Sequence, residues 1–139
     1  MKLKQKEISF EKYLIKGLLP CIDVTVQNKN LIFLIDSGSD LSYIDSNIAE
    51  DLQLPIKDND IVNKLQTLGS THYAPITYDV DFKIDDSLIN NEFIGVEIKQ
   101  MSKKLKVKFD GILGLNILKQ IKANISFEDN KMIYSYNED

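Results

Sequence analysis

The sequence predicts a mostly β, barrel-like single domain with two short helices. Three observations carry that reading. Short apolar runs rich in β-branched and aromatic residues recur along the chain, each bounded by Gly, Asn, Asp or Pro. Strict alternation of apolar and polar residues marks two stretches, Leu19 to Gln27 and Pro75 to Ile84, as half-buried strands. The length of 139 residues suits one hydrophobic core, so 1–139 is read as one domain.

The elements follow in order. Lys4 to Gly17 mixes polar and apolar residues and reads as an edge strand or as an arm reaching a partner subunit. In the strand from Leu19 to Gln27, Ile22, Val24 and Val26 alternate with Cys21, Asp23 and Thr25. Asn28-Lys29-Asn30 turns the chain into a second strand, Leu31 to Ile35. Leu41 to Ile44 reads as extended, and Asp45 or Ser46 caps a short helix through Leu52 that Pro55 ends. Leu65 to Leu68 and Pro75 to Ile84 make a hairpin whose flexible tip is Gly69-Ser70-Thr71-His72. Asp85-Asp86-Ser87 and Asn90-Asn91 are turn-rich, and Phe93 to Ile98 is the next strand. Five lysines between Lys99 and Lys108 read as a solvated, guarded edge rather than a nucleic-acid patch. Asn116 caps a helix from Ile117 to Ile121. Ala123 to Phe127 and Lys131 to Tyr136 close the domain as a hairpin about Glu128-Asp129-Asn130.

One stretch asks for chemistry. The apolar run Leu31 to Ile35 ends on Asp36-Ser37-Gly38-Ser39-Asp40. A carboxylate placed where apolar packing stops loses hydration and must find donors, or its protonated form is favoured. Ser37 can supply a hydroxyl, and Gly38 lets backbone N–H groups turn toward Asp36. By itself the tripeptide reads equally as a surface turn after a core strand. The second relevant stretch is Phe109-Asp110-Gly111-Ile112-Leu113-Gly114-Leu115-Asn116-Ile117-Leu118.

In this order, with a glycine-containing hairpin between them, the two stretches resemble the retropepsin-like aspartic proteases over about Ile22 to Tyr134. The resemblance implies a closed β-barrel of the acid protease fold with a flap hairpin. It implies Asp36 as the catalytic acid of an aspartic endopeptidase, with Ser37, Gly38, Gly114 and Asn116 supporting its loop. Ser39, Asp40, Gly69 and Ser70 are implied to contact a peptide or protein substrate. Since Asp-Ser-Gly occurs once, the second acid must come from another copy, and a two-fold homodimer is the economical way to place it. The alternative is a catalytically silent, retropepsin-like dimeric module that grips peptides without cutting them.

Composition narrows the field further. The net charge of −4 argues against nucleic acid as a partner. A single Cys21 and a single His72 leave no internal disulfide, no cysteine- or histidine-pair metal site and no support for a second serine triad. Neither a metal nor a cofactor is expected. The basic start is followed by Glu7, Glu11 and Lys12 where a leader's apolar core would lie, and the most apolar window, Tyr13 to Val26, is too short to span a bilayer. A cytoplasmic location with no membrane contact is the expectation.

Overall fold

The computed structural model describes residues 2–15, 19–57, 75–98 and 108–138. Alternation builds its main body. In β2 (Cys21–Val26) Ile22, Val24 and Val26 are buried, while Asp23 and Thr25 are half-buried. Strand β3 (Lys29–Ile35) runs back against it, from Val26 opposite Lys29 to Cys21 opposite Leu34. Gln27 and Asn28 make the turn with φ of 50° and 66°, so it starts one residue earlier than expected, and Lys29 and Asn30 already belong to the strand. A two-residue hairpin turn of this hand matches the twist of the flanking strands.

Strands β4 (Tyr43–Asp45), β5 (Thr77–Ile84), β6 (Ser87–Val96) and β7 (Gly111–Leu113) complete a closed barrel in the order β2-β3-β7-β4-β6-β5. Thr25 opposite Lys83 shuts it. The β3–β7 and β4–β6 pairs are parallel and the rest antiparallel, so the barrel is mixed. Strand β6 starts well before Phe93. The turn is Asp85-Asp86, and Asn90 and Asn91 lie inside the strand because their amides find partners there. Phe93 sits at the centre of the core, edge-on to Phe33 and to Phe82 with ring centroids 5.4 Å apart in both pairs. Each fully buried ring stabilises the barrel by roughly 1.5–3 kcal/mol.

A second sheet has the order β1-β9-β8, with β1 (Lys2–Ser9), β9 (Lys131–Glu138) and β8 (Asn124–Ser126). The N-terminal stretch is thus an edge strand paired within its own chain, from Lys2 opposite Glu138 to Ser9 opposite Lys131. Behind it comes α1 (Glu11–Ile15), a one-turn helix that sequence periodicity does not announce. Its Lys12 and Tyr13 both bind the Asp23 carboxylate, so tertiary contacts hold what propensity would not. Helix α2 (Ser46–Asp51) is capped as expected, Asp45 Oδ2 accepting from Ile48 N at 3.3 Å. Helix α3 (Leu115–Gln120) corrects the capping role given to Asn116: the N-cap is Gly114, without a side-chain cap, and Asn116 lies in the first turn. The expected strand Leu65–Leu68, the tip at Gly69-Ser70-Thr71-His72 and nearly all of the lysine-rich stretch fall outside the described residues.

Candidate active site

Strand β3 ends by handing Asp36 to a tight turn. Leu113 O on β7 accepts from Asp36 N at 3.0 Å, which carries the parallel pairing one residue past the strand. Ser39 N then donates to Asp36 O at 3.2 Å, and Gly38 N donates to Asp36 Oδ1 at 2.9 Å. A Cβ at Gly38 would stand 3.2 Å from that same oxygen, so glycine gives the carboxylate its close approach. Asp36 is half-buried. Among the described residues its other oxygen has no hydrogen-bond donor.

The turn between β7 and α3 braces this loop from the other side. Leu115 N donates to Ser39 O at 2.7 Å and Asn116 N to Asp40 O at 3.2 Å. These are first-turn amides of α3, which have no partner inside the helix, so the acid loop satisfies them. Gly114, just before them, has an extended φ of −98°, and its requirement is space: a Cβ there would stand 2.0 Å from Leu41 O. Gly114 N donates to Ser42 Oγ at 2.8 Å, and Ser42 Oγ donates to Asn116 Oδ1 at 2.6 Å.

The fold therefore gathers Asp36, Ser37, Gly38, Ser39, Asp40, Gly114 and Asn116 at one place. Ser37 and Asp40 are exposed. Ser39 Oγ donates to Leu41 O at 2.7 Å, so its hydroxyl is used within the loop. Gly69 and Ser70 lie outside the described residues. Sequence reasoning missed Ser42, only 1% exposed. Its signal was a lone hydroxyl between Leu41 and Tyr43 in a stretch read as extended.

The nearby Cys21 does not compete as a nucleophile. Burial, followed by the charge of Asp23, pushes its thiol up to about 12, so it stays protonated at neutral pH. Among the described residues no three His, Cys, Asp or Glu side chains gather to hold a metal, and no helix is long and apolar enough to cross a membrane. The arrangement holds the Asp36 carboxyl group at the end of β3, one of its oxygens bound by Gly38 N, with the exposed Asp40 carboxyl on the same loop.

A family model described as "Aspartyl protease" matches residues 22–117. Solved structures share the fold at low identity. The retropepsin-like aspartic protease from Rickettsia conorii superposes with a TM-score of 0.57 at 17% identity, over 97% of this chain and 92% of its own. The retroviral protease-like domain of Ddi1 from Leishmania major gives 0.56 at 14% identity, over 86% and 94%. EIAV protease in complex with the inhibitor HBY-793 gives 0.50 at 16% identity, over 78% and 93%. A search among curated protein sequences finds no match.

Proposed function

Because this chain belongs to the aspartyl protease family and folds as its retropepsin-like members do, we propose that it is an aspartic endopeptidase working as a homodimer. The observation that carries the reading is Asp36 itself, a carboxyl group braced at the end of a barrel strand with one oxygen bound to Gly38 N and the other unpartnered among the described residues.

In the proposed dimer the two Asp36 side chains meet at the two-fold axis. Two carboxylates in contact do not both ionise cheaply, so the pair shares one proton and titrates as a coupled unit. The ionised member takes a proton from water as the water oxygen bonds to the peptide carbonyl carbon. The protonated member gives its proton to the carbonyl oxygen. Collapse of the tetrahedral intermediate breaks the C–N bond, with a proton delivered to the leaving nitrogen. No covalent enzyme intermediate forms. Ser37 is proposed to tie the two acid loops together across the axis. An extended peptide would lie over the Ser39-Asp40 side of the loop, bound by backbone hydrogen bonds in the manner of an added strand. By the resemblance, Gly69 and Ser70 are proposed to contact the same peptide.

The test is cleavage of a peptide library between mildly acidic and neutral pH, read by mass spectrometry at several protein concentrations. Wild type is expected to cleave, with specific activity falling steeply on dilution as dimers separate, and Asp36→Asn is expected to stay folded and dimeric without cleaving. Cleavage retained by pure Asp36→Asn would overturn the proposal. A folded dimer that binds peptides but leaves them intact would overturn it in favour of a binding module.

A further inference from the structure

We infer that Asn91 is a positioning residue for the Asp36 loop, acting through Asn116 and Ser42. The kinetic consequence rests on the endopeptidase reading; the structural consequence rests on geometry alone. Asn91 lies on β6, and its side chain meets the first turn of α3 in both directions. Asn116 Nδ2 donates to Asn91 Oδ1 at 3.1 Å, and Asn91 Nδ2 donates to Asn116 O at 3.3 Å. Asn91 Nδ2 also donates to Gln120 Oε1 at 2.6 Å, and Asn91 Oδ1 accepts from Glu92 N at 2.6 Å. Asn116 Nδ2 has a second acceptor in Glu92 O at 3.1 Å.

These bonds run in one sense. Gly114 N occupies a lone pair of Ser42 Oγ, and the single Ser42 proton goes to Asn116 Oδ1. That fixes which way the Asn116 amide faces, with its nitrogen turned to Asn91 and Glu92. The relay from Gly114 through Ser42 and Asn116 therefore ends on a ten-residue strand of the closed barrel. Its other end grips the acid. Leu113 O holds Asp36 N and Leu115 N holds Ser39 O, while Gly114 between them is held by Ser42. A change in how Asn116 faces would turn residues 113–115 and carry both ends of the acid loop with them.

Asn91→Asp is the sharpest probe, because it keeps size and shape but removes the two donor bonds and sets carboxylate oxygen against Asn116 O and Gln120 Oε1. Misplacement of a reacting group by about 1 Å can cost on the order of a hundredfold in rate. The expected result is a fall in kcat of at least about tenfold with KM changed less than about threefold. Faster hydrogen exchange at the Gly114 and Asn116 amides and an altered titration of the Asp36 carboxyl carbon by NMR are expected with it. Ser42→Ala should act in the same direction, with Ser42→Thr retaining more activity because it keeps the hydroxyl. Phe82→Leu, a change at a core residue of β5 that packs on Phe93 but takes part in none of the relay's hydrogen bonds, supplies the control for lost stability.

Unchanged kcat, exchange and titration in Asn91→Asp would overturn the inference. A kcat loss reproduced by Phe82→Leu at equal loss of stability would also overturn it. If wild type cleaves nothing, the endopeptidase reading fails instead; exchange and titration then decide the positioning role, a response to Asn91→Asp supporting it and none overturning it.

Discussion

Three glycines in the two motifs serve the site through space rather than conformational freedom. Gly38 lets its own amide approach the Asp36 carboxylate, Gly111 lies under the Phe33 ring, and Gly114 lies against Leu41 O. At Gly114 the backbone is one any residue adopts, so the cost of a side chain there is the clash at 2.0 Å. Gly114→Ala is expected to lose roughly 1–3 kcal/mol of stability, as overpacked sites do, which urea unfolding would measure. The loop should also shift away from Leu113 and Leu115. At this scale the sequence was informative about Asp36 and Gly114, whose residue types already state what they need. It was silent on Asn91, because an Asn beside another Asn looks like a turn until its partners on α3 are in place.

Among the elements, α1 depends most on its contacts. Partial burial works against ionisation of Asp23, but hydrogen bonds from Lys12 and Tyr13 outweigh it and hold the carboxyl below its usual range. The Tyr13 hydroxyl is in turn pushed up by burial and by Asp23, so it remains a donor. The sign follows from Asp23: its pKa is lower folded than unfolded, so the latch contributes stability above the unfolded carboxylate value of about 3.9 and loses it as pH falls through the folded value. Thermal melts of wild type and Asp23→Asn should differ most near neutrality and converge in acid. A constant difference down to pH 2 would show that the latch works by packing instead. Helix α2, by contrast, was legible in advance, since Asp45 followed by a short helical run and Pro55 spells start and stop in local chemistry.

For the molecule as a whole, the terminal sheet and the barrel are joined by a buried tyrosine. Tyr134 on β9 is fully buried, donates to Ile84 O at 3.2 Å and stands 3.2 Å from Ser87 Oγ at the β5–β6 turn. Tyr134→Phe keeps the ring and removes that link, so a loss of about 1–2 kcal/mol in chemical denaturation is expected with little change in the core. Pairing of β1 with β9 within one chain has a further consequence: the N-terminal segment is an edge strand closing its own sheet.

The sequence by itself determined the fold class, the position of the acid and the glycine-bearing turn beneath it. Strand alternation and turn chemistry are local, and both motifs are short and contiguous. Tertiary structure alone decided that β3 and β7 pair in parallel, that Asn116 faces Ser42 and Asn91 instead of capping its helix, and that α1 exists at all. Those features are settled by which buried donors and acceptors meet across long sequence separations, and a hydrogen bond to a distant partner leaves no periodic mark on the chain that makes it.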